Sequence, residues 1–463
     1  MQIKLLRRLA LFAIAALMLA ACGGGAAEDE AAGTTAPTGG EPTAADTGTE
    51  MATDMSTEMS TGSTEGATGS AAQNEGDGTL TIGTLLPETG SLAFLGPPEI
   101  AGAALAVQQI NEAGGVLDND VELIPGDSGD TTTDIANQTV DRELNQGVDV
   151  IVGAASSAVS FTVIDKITGA GVVHFSPANT SPDFTDYADR GLYFRTAPSD
   201  VLQGRILGQS LLEEGAQTVG ILALQDPYGE GLADNAEQTI TESGGQVVEK
   251  IIYDPQAQTF DTEIQKLVSA DPDAIAVIGF DESARILQTM IEQGIGPSEK
   301  IVYGVDGNIG NALAEAVGED GALAGMKGTL PGAVAEGEFK DQLLEVDPQL
   351  KDFSYAAETY DAVIVSALAA VAAESDAGEA LAQELPGVTE GGTKCMTFEE
   401  CKQLLESGED IDYDGESGPI EMNEAGDPTT ANFQILEYPE GYTVQEAKNG
   451  NAIEVVDTQE ASL

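Results

Sequence analysis

The chain has 463 residues, with 18 Lys and Arg against 79 Asp and Glu, and a formal net charge of −61 at pH 7. A polyanion of this strength is repelled by phosphate backbones, which argues against nucleic acid as a partner. The length is enough for two or three domains with a large core, and the acid excess suggests a solvated surface in a salty medium.

Residues 1–22 have the pattern of an export signal peptide. Lys4, Arg7 and Arg8 precede an apolar run of twelve residues, which is too short to span a membrane. The run ends in Leu-Ala-Ala-Cys, which resembles a bacterial lipobox, where the signal peptide is cleaved and the cysteine is lipidated. The resemblance implies that Cys22 carries a lipid that anchors the chain to the cell membrane. The alternative is an ordinary signal peptide with an incidental cysteine.

Residues 23–78 are rich in Ala, Gly, Thr, Ser and Glu and contain no Lys, Arg or aromatic residue. Such a segment cannot bury enough apolar surface to offset the entropy of the chain, so it is predicted to be a disordered tether. Its r.m.s. span would be roughly 40 Å.

From residue 79 the chain alternates short apolar runs with amphipathic segments, several of which end in Gly-Gly. The runs lie at residues 80–86, 121–126, 148–154, 171–175, 218–224, 247–253, 274–280 and 300–305. Near-continuous apolar strands that alternate with helices indicate parallel sheets covered by helices. About eight such units are too many for one small sheet, so the sequence predicts an α/β fold with two doubly wound, Rossmann-like lobes.

Toward the C-terminus the pattern predicts a long Ala-rich helix at 354–374 and strands at 419–423 and 432–438. The last twenty or so residues show no clear pattern. Cys395 and Cys401 flank a capping-box sequence, Thr-Phe-Glu-Glu. An exported protein permits a disulfide between them, and zinc is disfavoured because the only histidine, His174, is distant in sequence.

Two motifs suggest chemistry that their surroundings do not support. The Gly-Asp-Ser-Gly at 126–129 matches a protease nucleophile loop, but His174 follows Ser128 in the chain and the surroundings are parallel α/β. Residues 410–421 match the EF-hand loop pattern, but no helix is predicted after them. A turn that leads into a strand is therefore favoured over a calcium site. No Walker A or G-x-G-x-x-G motif follows a strand, and we expect no cofactor and no catalysis.

Hydroxyl groups concentrate where two neighbouring strands end. Ser156 and Ser157 follow the strand 148–154, and Ser176, Thr180 and Ser181 follow the next one. Serines at these positions can simply cap helices. They can equally bind a carboxylate at a positive helix end, because two adjacent strand ends converge on one crevice.

These stretches carry a family resemblance. Residues 79 to about 440 resemble the type I periplasmic binding proteins, and among them the Leu/Ile/Val-binding proteins of branched-chain amino acid ABC transporters. The matching stretches are IGTLLPETGSLAFLG (82–96), AGAALAVQQINEAGGV (101–116), GAASS (153–157), SPANTSPDFT (176–185), FRTAPSDVLQG (194–204), DPYGEGLA (226–233) and GVDGN (304–308).

The resemblance implies roles for individual residues. Ser157 and Thr180 would hold the α-carboxylate of an amino acid, and the Ala178 carbonyl and the Thr180 hydroxyl would take its α-ammonium. Asp306, where the family often has Glu, would pair with the ammonium from the opposite lobe. Tyr228 would cover the ligand. Four further residues would line the pocket, namely Leu95, Ser156, Phe280 and Tyr355. Leu95 and Phe280 stand where the family has Tyr.

The resemblance also implies the organisation of the chain. Lobe 1 would comprise 79–197 and 330–430, lobe 2 would comprise 198–329 and 431–457, and three crossing strands would join them. The expected protein is an extracytoplasmic, lipid-anchored amino acid receptor that closes by a hinge motion and docks on a permease with its ATPase. Alternatives within the same fold are an amide or urea receptor and a ligand sensor.

Overall fold

A computed structural model describes residues 76–333 and 335–463. The predicted signal peptide, the predicted lipid site Cys22 and the predicted tether up to residue 75 lie outside the described residues. Two large sheets and one small sheet organise the described part. The chain passes between the two large sheets three times, and the exact residues of the lobe boundaries remain predictions.

The first sheet is parallel throughout and has the strand order β2-β1-β3-β4-β5. Its strands β1, β3, β4 and β5 are fully buried, so helices must cover both faces, as their unbroken apolar runs predict. The strands are β1 (Thr81–Leu85), β2 (Glu122–Ile124), β3 (Val150–Gly153), β4 (Val173–Ser176) and β5 (Tyr193–Arg195).

The second sheet has the order β15-β14-β10-β9-β8-β6-β7, and its five parallel strands are extended by two antiparallel ones. The parallel strands are β6 (Thr218–Leu224), β7 (Gln246–Tyr253), β8 (Ala274–Ile278), β9 (Ile301–Val305) and β10 (Lys327–Pro331). The antiparallel strands are β14 (Thr430–Glu437) and β15 (Glu454–Ser462).

Helices divide between the sheets in chain order. Those of the first sheet are α1 (Gly96–Glu112), α2 (Ile135–Gln146), α3 (Ser157–Gly169), α9 (Gly337–Val346), α10 (Ala356–Ala373), α11 (Gly378–Glu384) and α12 (Phe398–Glu406). Those of the second are α4 (Asp200–Glu213), α5 (Pro227–Glu242), α6 (Asp261–Ala270), α7 (Ser283–Glu292), α8 (Asn311–Val317) and α13 (Val444–Lys448).

One helix in the described ranges, α10, is long and apolar enough to cross a membrane by composition alone. It packs along α1, and most of its residues are buried in the core of the first sheet. Gly102 allows this close approach, because a Cβ there would lie 2.2 Å from the Ala356 carbonyl oxygen. The length of α10 therefore reflects its central place in the core.

The small sheet contains the acidic segment that matches an EF-hand loop. Its strands are β11 (Thr393–Cys395), β12 (Ile411–Gly415) and β13 (Gly418–Pro419). In it Asp412 and Asp414 both pair with the ammonium group of Lys394, at 3.1 and 2.8 Å. The predicted strand at 419–423 is wrong beyond Pro419, because the following residues form a turn in which Met422 pairs with Pro428 and the Asn423 amide donates to the Asp427 carbonyl oxygen. Among residues 76–333 and 335–463, no group of three or more His, Cys, Asp or Glu could hold a metal ion.

The two cysteines of this region are joined. Cys395 and Cys401 form a disulfide with 5.4 Å between their Cα atoms. The Thr397 hydroxyl caps α12 by accepting a hydrogen bond from the Glu400 amide. The link therefore ties β11 to the first turn of the helix.

The C-terminal residues form a strand that the sequence pattern did not predict. β15 pairs antiparallel with β14 and extends to Ser462, beyond the predicted end of lobe 2 at residue 457. Most of its side chains are exposed, so it carries no apolar alternation. Its position is set by backbone hydrogen bonds to β14, which leave no trace in the side-chain sequence.

A buried ion pair secures the first and third crossings. Arg195 ends β5, and its Nε donates to Asp427 Oδ1 at 2.6 Å, with both side chains essentially inaccessible to solvent. The same guanidinium donates to the carbonyl oxygens of Asn179 and Ser181. The pair thus joins the loop after β4 to the segment that leads into β14.

We expect Asp427→Asn to lower the free energy of unfolding by about 3–5 kcal/mol, because it leaves a buried guanidinium without its charged partner. The exposed pair of Arg190 with Glu379 supplies the control, and Glu379→Gln should cost no more than about 1 kcal/mol. Urea-induced unfolding of both variants checks this. Equal losses would show that burial of the Arg195 pair is not what stabilises the crossings.

Candidate functional site

The first wall of the site is the loop between β3 and α3. Gly153 has φ +128, and a Cβ there would lie 2.0 Å from the Leu85 carbonyl oxygen, so only glycine fits. The Ser156 hydroxyl caps α3 by accepting from the Val159 amide at 3.4 Å. Ser157 follows as the first residue of α3, with its side chain buried. The predicted hydroxyls therefore lie at the positive end of a helix of thirteen residues.

The second wall is the loop after β4. Asn179 donates to the carbonyl oxygens of Ala154 and Ala155 at 2.9 Å, which fixes this loop against the previous one. Ser157 Oγ accepts from the Ser181 amide at 3.3 Å. The side chain of Asn179 and the amide of Ser181 thus join the two loops, while the Thr180 hydroxyl is buried behind them.

The second lobe contributes an aromatic pair and an acid. Asp226 caps α5 by accepting from the Gly229 amide at 2.7 Å, which directs Tyr228 into the site. The Tyr228 ring stacks on Phe280 with 5.6 Å between centroids. Asp306 follows β9 directly. A Cβ at the next residue, Gly307, would lie 3.0 Å from the Tyr228 hydroxyl and from Phe280, so the backbone passes close to both side chains.

Asp306 is buried and accepts hydrogen bonds from three side chains. Oδ1 accepts from Gln203 Nε2 at 2.8 Å and from the Tyr228 hydroxyl at 2.7 Å, and Oδ2 accepts from the Tyr355 hydroxyl at 2.7 Å. Burial raises the pKa of the Asp306 carboxyl, and these hydrogen bonds oppose the rise because they favour the ionised form. Burial, and after it the charge of the same carboxylate, holds the pKa of both phenols well above the ordinary value.

Tyr355 reaches Asp306 from the first lobe. It precedes α10 with φ +61 and ψ 8, a left-handed conformation that a tyrosine rarely adopts. Residues held in this region cost free energy and persist where the surroundings require them, often at functional sites. The hydrogen bond between Tyr355 and Asp306 directly connects the two lobes.

A small cavity lies between these walls. It leaves about 10 Å³ for the centre of a water-sized sphere, which is room for roughly one water molecule. Eight of the nine predicted residues line it, namely Leu95, Ser156, Ser157, Ala178, Tyr228, Phe280, Asp306 and Tyr355. The ninth, Thr180, does not line the cavity and is 1% exposed.

Several residues of the site were not predicted from the sequence. Leu92, Ala155 and Gly307 also line the cavity, and each lies inside one of the stretches that carry the family resemblance. Gln203 was missed although it bonds Asp306. Its burial is visible only in the structure, although Gln203 lies inside the stretch FRTAPSDVLQG that contributes to the family resemblance.

The lining has a distinct electrostatic pattern. It contains one acid, no Lys, Arg or His, and several apolar side chains, with a helix N-terminus on the opposite wall. Two parallel-sheet lobes that meet around such a cavity define the class of two-lobed solute-binding proteins. The family model described as periplasmic binding protein matches residues 79–404, well over half of the chain, and the chain belongs to this family.

Similar proteins agree with this assignment. A Leu-, Ile-, Val-, Thr- and Ala-binding protein of Pseudomonas aeruginosa is 29% identical over 60% of this chain and 73% of its own length. A branched-chain amino acid transporter substrate-binding protein of Streptococcus pneumoniae, solved with isoleucine, is 22% identical with a TM-score of 0.66 over 83% of this chain and all of its own. A solute-binding protein of R. palustris, solved with benzoate, is 17% identical with a TM-score of 0.65 over 83% of this chain and 98% of its own.

We expect Tyr228→Phe to lower the free energy of unfolding by about 1–3 kcal/mol, because a buried carboxylate loses one of its donors while the ring stacking is kept. Tyr187→Phe is the matched control, since its phenol donates to the exposed Asp165, and it should cost much less. Urea-induced unfolding without added solute measures both. A loss at Tyr228 no larger than that at Tyr187 would contradict the importance of the Asp306 network.

Proposed function

We propose that the protein is an extracytoplasmic, lipid-anchored receptor that binds an amino acid with an apolar side chain and delivers it to an ABC importer. The observation that carries the proposal is that a positively polarised and a negatively charged group lie on opposite walls of one apolar cavity. The α3 N-terminus lies on one wall and the Asp306 carboxylate on the other.

A zwitterion matches this arrangement. Desolvating an amino acid is unfavourable unless both of its charged groups are fully hydrogen-bonded. We assign the α-carboxylate to the Ser157 hydroxyl, Thr180 and the positive end of α3. We assign the α-ammonium to the Ala178 carbonyl, the Thr180 hydroxyl and the Asp306 carboxylate, in a charge-assisted contact.

The residues of the cavity wall also indicate which ligand side chain is preferred. Leu92, Leu95 and the stacked pair of Tyr228 and Phe280 form an apolar surface around the cavity. These residues belong to one continuous hydrophobic cluster with the core of the second lobe. An aliphatic or aromatic side chain gains free energy by burial here, whereas a charged side chain would find no partner.

Binding requires the lobes to separate, because the cavity holds about one water molecule. Among the hydrogen bonds that join the lobes, two lie beside the cavity: Tyr355 donates to Asp306 at 2.7 Å, and the Ser181 hydroxyl donates to the Pro227 carbonyl oxygen at 3.1 Å. An incoming ammonium group competes with the first of these for the carboxylate. We propose that the lobes then close again on the ligand by a hinge motion, and that a permease with its ATPase recognises the closed form.

Two other ligand classes are compatible with the fold but not with the carboxylate of Asp306. Benzoate is a monoanion and urea is neutral, so neither supplies a cation for Asp306, and benzoate would be repelled by it. A ligand sensor of the same fold would use the same binding site. No step in this proposal involves catalysis or a cofactor.

Calorimetric titration with L-isoleucine, L-leucine, L-valine, benzoate and urea tests the proposal. We expect saturable one-site binding of an apolar amino acid and no binding of benzoate or urea. Asp306→Asn should weaken the amino acid affinity about 100-fold or more, because the ammonium loses its only opposite charge in the cavity wall. Thr180→Val should weaken it to a similar degree.

The control is Asp361→Asn. Asp361 is also buried and also accepts from a phenol, that of Tyr413 at 2.7 Å, but it lies on α10 away from the cavity. This variant should bind with unchanged affinity. Binding of benzoate without binding of any amino acid would overturn the proposed function while leaving the family assignment intact.

A further inference from the structure

Phe280, which forms part of the cavity wall, is held from behind by a buried carboxylate. Oε1 of Glu282 accepts hydrogen bonds from the Phe280 amide at 3.0 Å and from the Tyr253 hydroxyl at 2.6 Å. The Glu282 side chain is 3% exposed, and neither Glu282 nor Tyr253 lines the cavity. An acceptor outside the cavity therefore fixes the backbone of a ring that faces into it.

Helix capping does not account for Glu282. It directly precedes α7, at the position where a side chain usually caps a helix, but its side chain makes no capping hydrogen bond. Burial raises the pKa of the Glu282 carboxyl, and the hydrogen bonds from Tyr253 and the Phe280 amide oppose the rise. A buried carboxylate is unfavourable unless it is hydrogen-bonded. The two donors therefore define what this side chain does.

The backbone at the end of β8 is closely surrounded by these groups. A Cβ at Gly279 would lie 2.2 Å from the Tyr253 hydroxyl and 2.8 Å from Glu282 Oε1, so both pack directly against the main chain. The Tyr253 hydroxyl also lies 3.1 Å from the Ile278 carbonyl oxygen, to which it can donate. The Tyr253 ring packs edge-on against Phe260. The end of β8 is thus held on the side that faces away from the cavity.

The same stretch of backbone contacts the loop that carries Asp306. A Cβ at Gly307 would lie 2.7 Å from the Gly279 carbonyl oxygen and 3.0 Å from the Phe280 ring. The two loops are therefore packed without a side chain between them. A shift at the end of β8 would move the Phe280 ring and press on the backbone next to Asp306.

The other member of the stacked aromatic pair has an acid of its own. Asp226 caps α5 and directs Tyr228 into the site. Burial raises the pKa of the Asp226 carboxyl to about 7, and the charge of Glu282 adds to the rise. Two mutually repelling carboxylates are thus kept close together, and each holds the backbone beside one of the two stacked rings, Tyr228 and Phe280.

We propose that Glu282 is a positioning residue of the ligand site, which acts through the Phe280 backbone and sets where the Phe280 ring meets the ligand side chain. This rests on the proposed function and deepens it, because it assigns the position of one apolar wall to a residue that does not touch the ligand. Glu282 acts as a hydrogen-bond acceptor, and Tyr253 orients its carboxylate.

A double-mutant cycle on ligand affinity tests this inference. Glu282→Ala, Phe280→Ala and the double variant are made in the full chain without its predicted signal peptide. Each is titrated with whichever of L-leucine, L-isoleucine and L-valine binds the wild type most tightly. We expect Glu282→Ala to weaken binding about tenfold when Phe280 is present and less than about twofold in the Phe280→Ala background, because residues that act through one another are not additive.

Rescue by a conservative variant forms a second arm of the test. Glu282→Gln keeps an oxygen that can accept both hydrogen bonds, so it should bind within about threefold of the wild type. Tyr253→Phe removes one donor to Glu282 but keeps the ring, and it should weaken binding in the same direction as Glu282→Ala. This arm decides the matter on its own if the Phe280→Ala background binds too weakly to titrate.

Asp273→Ala is the matched control. Asp273 precedes the opposite end of β8 and accepts from the amides of Gln217 and Thr218 at 2.9 Å. This variant should lower the melting temperature and leave the affinity unchanged. It therefore separates a loss of stability from a loss of positioning.

The possible outcomes are distinct. Equal weakening by Glu282→Ala in both backgrounds, or a Gln variant as weak as the Ala variant, would make Glu282 merely structural and overturn the inference while the proposed function stands. Unchanged affinity in Glu282→Ala would overturn it as well. A wild type that binds none of the three amino acids would overturn the proposed function and the assignment that rests on it.

Discussion

The carboxylate of Asp306 is buried where the two lobes meet, and much of the site is arranged around its need for donors. A buried ionised acid is tolerated only when its oxygens are hydrogen-bonded. The donors are Gln203, Tyr228 and Tyr355, which come from the beginnings of α4, α5 and α10. Three helices must therefore start at the same point in space, and a displacement of any one would leave the charge less well satisfied.

This requirement links the two lobes in a way that a ligand can change. Tyr355 belongs to the first lobe and Asp306 to the second, so their hydrogen bond forms only when the lobes are together. The Arg195–Asp427 pair is different, because its partners have no solvent access and no proposed competitor. One buried charge thus stabilises the crossings, while the other is placed where an ammonium group can take over part of its hydrogen bonding.

The strongly acidic composition has a consequence at the site. With few cations in the chain, the cavity wall contains no Lys, Arg or His, and a ligand carboxylate can be met only by hydroxyls and by the N-terminus of α3. Helix termini serve this purpose well, since their amides are unpaired and the dipole favours negative charge.

The sequence alone determined the alternation of strands and helices, because parallel strands buried on both faces must be nearly continuous apolar runs. It also placed hydroxyls at two adjacent strand ends, and through the family resemblance it named eight residues that line one cavity. Only the tertiary structure decided which polar groups meet across the fold. Gln203 and Asp306 are 103 residues apart, and β15 pairs through its backbone with almost no buried side chain. Periodicity records how a residue faces its own neighbours, and it carries no information about such distant partners.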